Sequence, residues 1–258
     1  MLDAGLLNPS PRLPGADPQI AQAVRRLRTA LTRCEIEPGQ FVAEQEIAER
    51  FGLGRAAVRV ALTALEVAGL VTRRPRQGWR AAPITEDLLR AIAAGRLRLE
   101  PALAEIRLSA VDRSRLDQLV GIVAALGDRA DRQAVLTVRP ADRQIRDALA
   151  SRTDELTRRW LAELWDHRDR IVTALEHAGI TIATSDRTPL IAALGAGDQA
   201  AAASWLKRDI ARETKLIAAG IERSQMLAPA SSSARSARRR RPRGIKILKS
   251  EVDHQRQE

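Results

Sequence analysis

Apolar side chains in the first third of the chain recur at helical spacing in three short runs separated by strong breakers. Ile20, Val24, Leu27 and Leu31 fall on one face of a helix predicted over residues 18–34, and that face reads as core. Pro38-Gly39 marks a turn, and Phe41-Val42 reads as a short strand. Residues 44–51 have helical composition, with Ile47 and Phe51 four apart, until Gly52-Leu53-Gly54 breaks the run. Residues 55–68 repeat Val58, Leu62 and Leu65 at helical spacing and end at Gly69, a residue suited to a helix C-cap. Two short strands, 70–74 and 79–82, flank Pro75-Arg76-Gln77-Gly78, whose Pro and Gly favour a hairpin reversal. Two helices around a tight turn followed by a hairpin describe a winged helix-turn-helix.

Pro83 ends the last strand, and Thr85 can cap the helix that follows. From residue 85 to 222 the pattern is helical throughout, punctuated by capping signals at Ser109, Asp112, Thr153, Ser185 and Gly197-Asp198. The expected fold is therefore mostly α: a winged helix-turn-helix over residues 18–83, then an all-helical bundle of six or seven helices over 84–226. Residues 1–17, rich in Pro and Gly, read as a flexible arm. Residues 227–258 lack an apolar face and read as a disordered basic tail.

Charge sharpens this picture. Among 258 residues, 43 Lys and Arg face 32 Asp and Glu, a formal net charge of +11, which favours a polyanionic partner. Residues 229–258 supply +6 of it, from nine basic and three acidic side chains. The chain has no Tyr, two Phe and four Trp, too few to form the stacking platforms of single-strand binders, so duplex DNA is the expected nucleic acid. Cys34 is the only cysteine, which rules out an intrachain disulfide and fits a reducing compartment. The first residues lack a basic segment followed by an apolar stretch, and no apolar run is long enough to cross a bilayer. A cytoplasmic protein is expected, with no membrane partner.

Arg55 and Arg59 stand one turn apart at the start of the second helix of the motif, where side chains reach base edges in the major groove. Each guanidinium can fork onto guanine O6 and N7 or onto phosphates. Solvated surface arginines are the bland alternative. The preceding turn and the wing carrying Arg73, Arg74, Arg76 and Arg80 favour DNA contact.

The run Ile36-Glu37-Pro38-Gly39, Glu44-Gln45-Glu46-Ile47-Ala48, residues 54–62, Leu65-Glu66, Gly69-Leu70-Val71 and Arg76-Gln77-Gly78-Trp79 resembles the GntR family of bacterial regulators over residues 18–83. The resemblance implies DNA contacts from Arg55, Arg59, Gln45, Ala56, Arg76, Gln77 and Gly78, with the Gly78 backbone approaching the minor groove. Gly54, Ala56 and Ala57 stand where the family favours hydroxyl residues and proline, and Gln45 where some members have arginine. Some phosphate contacts are therefore expected to differ from the family norm.

The following segment resembles, more loosely, the FCD ligand domain of the FadR-like branch, on residues 96–100, 142–146 and 190–198. Many such domains hold a divalent metal with one Asp and three His. Here Asp142 keeps the Asp, while Arg146, Arg187 and Asp209 stand at the His positions, so no metal cofactor is expected. Asp142, Arg146, Arg187 and Asp209 would share one cavity. They would either seal the bundle as a salt-bridge network or bind an anionic effector, a carboxylate, through the two arginines. His167 and His177, ten residues apart on one expected helix, cannot chelate a common ion and read as ordinary histidines. Trp160, Trp165 and Trp205 read as bundle filler.

The resemblance further implies a homodimer on a short palindromic operator, with repression relieved by a small molecule. An architectural DNA-binding protein with no effector response is the alternative. No nucleophile paired with a base and no phosphate-cradling loop stands out, so an enzyme is not expected.

Overall fold

A computed structural model describes residues 17–227; the expected flexible arm over residues 1–17 and basic tail over 227–258 lie, but for their innermost residue, outside the described residues. Helix α1, Pro18–Thr32, starts with Pro at N1 and is capped by Asp17, whose side chain accepts from the Gln19 N–H. It ends two residues before the expected boundary because Cys34 adopts a positive φ of 52° and turns the chain. Strand β1 is Phe41–Val42 and α2 is Glu44–Phe51, stopped by Gly52 at a left-handed φ of 62°. Helix α3, Arg55–Val67, ends in a reversal in which the Gly69 and Leu70 amides return to the Glu66 and Leu65 carbonyls.

Strands β2, Val71–Arg74, and β3, Gly78–Ala81, pair antiparallel, and β1 adds to the free side of β3 to give the order β1-β3-β2. Val42 faces Trp79 and Arg73 faces Trp79 from the other edge. Leu27, Leu31, Ile47, Val58, Leu62, Leu65 and Trp79 form one closed core beneath this sheet.

The remainder is helical. Thr85 caps α4, Glu86–Leu99, accepting from the Leu88 N–H, and a 3-10 turn follows over Glu100–Glu105. Helix α5, Ala110–Leu126, opens with a Ser109/Asp112 capping box; α6, Arg132–Ala150, is capped by Asp131. Helix α7, Glu155–His177, is capped by Asp154 rather than by the expected Thr153, whose hydroxyl donates back to the Ala150 carbonyl. Helix α8, Thr188–Ala196, stops at Gly197 in a left-handed conformation, and α9, Gln199–Leu227, closes the bundle. Ser185 caps nothing; its hydroxyl donates to Asp209. Trp165 is fully buried and Trp205 partly so, but Trp160 is 44% exposed and fills no core. Five residues from the buried Trp165, it is turned about 140° round α7 and so lies on the outer face.

The two units meet along α7. Asp166 accepts from Arg28 of α1 at 2.6 Å, and His167 Nε2 donates to the Ala68 carbonyl at 2.9 Å. The Cys34 thiol donates to the Arg170 carbonyl at 3.5 Å, and the Arg170 guanidinium donates to the Ala82 carbonyl.

Candidate DNA interface and charged cluster

Helix α3 presents two faces. Ala57, Val58, Ala61, Leu62 and Leu65 are buried, which leaves Arg55, Ala56 and Arg59 exposed on its first turns. Gln45 and Arg76 are exposed beside a groove of about 410 Å³ that they border together with Arg55, Arg73, Arg74 and Trp79, and Gln77 is exposed in the hairpin turn. The four guanidinia rimming this groove make it a concave anion-attracting surface.

Glu44, at the first turn of α2, organises the groove. Its carboxylate accepts from Arg59 Nε at 2.9 Å and from the buried Trp79 indole at 3.2 Å. Burial opposes ionisation of this carboxyl, but the Trp79 and Arg59 hydrogen bonds and the guanidinium charge hold it below the ordinary range. Arg59 is thus tethered from below, with 69% of its side chain still exposed. Glu44 had no signal as an isolated residue; the motif positions around it gave its neighbourhood only.

Two expected wing residues play different parts. Arg80 turns away from the groove, donating to the Gly39 carbonyl at 3.2 Å and lying over the Phe41 ring. Gly78 sits at φ +85°, and a Cβ there would stand 2.7 Å from the Val42 carbonyl oxygen. The close approach of β1 to β3 therefore demands glycine for internal reasons.

In the helical domain Asp142 and Arg146 on α6, Arg187 at the start of α8 and Asp209 on α9 do converge. Asp142 is fully buried and accepts from Arg187 Nε at 2.8 Å and Arg146 Nε at 3.1 Å. Arg187 Nη1 donates to Asp209 at 3.1 Å and its guanidinium stacks over Trp205. Burial would raise the Asp142 carboxyl, yet Arg187 and Arg146 hold it at about 2.

The cluster extends well beyond the four residues legible in the sequence. Asp169 of α7 takes Arg146 at 2.9 Å and Arg168 at 2.7 Å. Glu213 of α9 takes Arg168 at 3.0 Å and Arg96 at 2.5 Å, and Glu100 takes Arg96 and the Trp165 indole. Among the described residues every buried carboxylate has at least two donors, as low dielectric requires. Arg146 Nη1 has no hydrogen-bond partner among the described residues. Beside Asp209 a shallow pocket of about 150 Å³ is lined by Ser185, Trp205, Arg208 and Arg212. His167 and His177 share α7, and His167 serves the domain junction. No described helix is long and apolar enough to cross a membrane.

Residues 19–81 match the model of the bacterial regulatory proteins of the gntR family. Over 113 residues the chain is 33% identical to the uncharacterized HTH-type transcriptional regulator YdfH of Escherichia coli, covering 44% of this chain and 47% of that protein. The chain thus spans about half the length of that relative. It is 29% identical over 199 residues to the HTH-type transcriptional regulator Rv1719 of Mycobacterium tuberculosis, covering 68% and 76% of the two chains. Its fold is similar to those of E. coli McbR/YncC (TM-score 0.60, 19% identity, 82% of this chain and 99% of that one) and of a GntR regulator from Rhodococcus sp. RHA1 (TM-score 0.58, 21% identity, 79% and 99%).

Proposed function

We propose that this chain, whose N-terminal domain is a winged helix-turn-helix of the gntR family, is a transcription regulator that binds a short palindromic operator as a dimer. The observation that carries this reading is the pair Arg55 and Arg59, exposed on the first turns of α3 above a groove rimmed by wing arginines. Helix α3 would enter the major groove, Arg55 and Arg59 reading guanine edges and Gln45, Ala56, Arg76, Gln77 and the Gly78 backbone lying against the sugar-phosphate walls. Two such heads about 34 Å apart read two half-sites one helical turn apart.

The helical domain, taken as an FCD-type sensory and dimerisation unit, would respond to a small anionic metabolite and relieve repression. Arg146, with one unpartnered guanidinium nitrogen, and Arg187 would bind its carboxylate, displacing Asp142 or Asp209 from the pairs described above. Because those pairs already satisfy one another, only an anion that offers two good acceptors can compete.

Selection from a random duplex library, with sedimentation to give the stoichiometry, tests the operator reading. An inverted repeat bound by two chains is expected; recovery without sequence preference would instead identify an architectural protein. Calorimetry with metabolic acids tests the sensory reading, and equal affinity in Arg146→Ala and Arg187→Ala would dismiss it.

A further inference from the structure

The charged cluster does not end inside the helical domain. Asp169 passes its second oxygen to Arg143, whose Nη1 lies 3.0 Å away. The same Nη1 donates to Asp166 Oδ1 at 2.8 Å, and Asp166 Oδ2 accepts from Arg28 of α1 at 2.6 Å. An unbroken alternation of charge therefore runs Arg187, Asp142, Arg146, Asp169, Arg143, Asp166, Arg28, from the start of α8 to the DNA-binding domain. Asp166 and Asp169 are three apart on α7, so they share a face and can divide one guanidinium nitrogen between them.

We propose that Asp169, Arg143 and Asp166 form an ion-pair relay that reports the state of the Asp142–Arg146–Arg187 cluster to the DNA-binding domain through Arg28. Each group inside the relay is shared by at least two partners, Asp169 also holding Arg168 and Arg143 also holding Asp147, so strengthening one bond draws charge away from the others. An anion on Arg146 frees Asp169 to hold Arg143 more closely. Arg143 then yields Asp166 to Arg28, and the junction between the domains tightens. Asp142, Arg146 and Asp166 are almost fully buried, which keeps these attractions out of reach of salt screening. Arg28, with 33% of its side chain exposed, is the terminal group where the relay meets solvent. The use of the relay in regulation rests on the sensory reading of the cluster; the coupling itself does not.

The protein contains its own reporter. Cys34 is the only thiol, is 5% exposed, and faces the Arg170 carbonyl across the same junction. Burial raises its pKa to about 11, with smaller effects of Arg170 and Glu37, so opening the junction increases its reactivity both by admitting the reagent and by relieving that burial. The test is the rate of N-ethylmaleimide labelling of the full chain, without DNA and at fixed pH, in Arg28→Gln, Arg146→Gln and the double variant. Arg28→Gln should accelerate labelling about fivefold, whereas Arg146→Gln, which frees Asp169 as an anion on Arg146 would, should slow it at least about threefold. The double variant should label about as fast as Arg28→Gln alone, above the product of the two, because the relay then lacks its terminal group, whereas distant independent sites combine to within a factor of about two. Where circular dichroism shows Arg146→Gln unfolded, Arg143→Gln, at a partly exposed position, takes its place. A rate in Arg146→Gln that is within about twofold of the wild type or faster, or a double variant equal to the product, overturns the relay. Either result leaves operator recognition by Arg55 and Arg59 untouched, and loss of that recognition leaves the labelling result standing.

Discussion

Replacing Asp142 by Asn preserves its shape and removes the charge that two buried guanidinia share. The side chain is inaccessible to solvent and lies 2.8 Å from Arg187 Nε and 3.1 Å from Arg146 Nε. The fall of its carboxyl from the ordinary 3.8 to about 2, against burial and because of Arg187 and Arg146, corresponds to about 2.5 kcal/mol. Leaving two guanidinia short of a partner adds to this, so a loss of about 3–5 kcal/mol is expected at pH 7. The folded-state pKa lies below the unfolded one, so this stability is fully present above about pH 4 and is lost as pH falls through 2. By pH 3 the gap between wild type and Asp142→Asn should have narrowed by about 1 kcal/mol. Urea unfolding followed by circular dichroism, at one protein concentration and at pH 7 and 3, measures both quantities. A loss below about 1 kcal/mol at pH 7, or a gap that widens on acidification, would refute the idea that Asp142 neutralises the two arginines.

Gly78→Ala places a Cβ against the Val42 carbonyl at a positive φ, and should cost about 2–4 kcal/mol, read as a lowered melting temperature by circular dichroism; an unchanged midpoint contradicts it. Glu44→Gln weakens the tether on Arg59 and removes a negative charge from the groove. The log-log salt slope of binding to random duplex should steepen by about 0.9, one further phosphate contact, by fluorescence anisotropy, and an unchanged slope argues against it. Arg170 is fully buried at the junction, with Nε and Nη1 lacking partners among the described residues, so Arg170→Met should stabilise the chain by about 1–3 kcal/mol in urea unfolding despite the lost bond to Ala82. Destabilisation would show that this guanidinium is better satisfied than its contacts indicate.

The winged domain was legible nearly to the residue because its elements are short and their ends are chemical. Gly52, Gly69 and the Pro75–Gly78 reversal all mark real boundaries, and the apolar spacing of α3 separates its buried face from Arg55 and Arg59. What escaped the sequence is what depends on distant partners. The i,i+4 pairing of Asp142 with Arg146 follows from helix geometry, whereas Arg96 with Glu213 and Arg28 with Asp166 join residues 117 and 138 positions apart. Such pairs leave no local periodicity, and an arginine in a helix looks the same whether it faces water or a buried carboxylate. Arg80 lies on the wing strand β3, as the sequence implies, but its guanidinium braces the Gly39 turn, which local pattern does not reveal. The convergence of Asp142, Arg146, Arg187 and Asp209 was reached by resemblance, and the carboxylates that complete their cluster came only with the packing of α7 and α9.

The most direct test of the account is operator recovery by the Arg55→Ala/Arg59→Ala variant from the same random duplex library as the wild type. Each bidentate contact to guanine carries about 1–3 kcal/mol of discrimination, so the variant should lose enrichment of the selected sequence by about tenfold or more while remaining folded by circular dichroism. A folded variant that still selects the same sequence with undiminished enrichment would contradict the claim that these two side chains read the DNA.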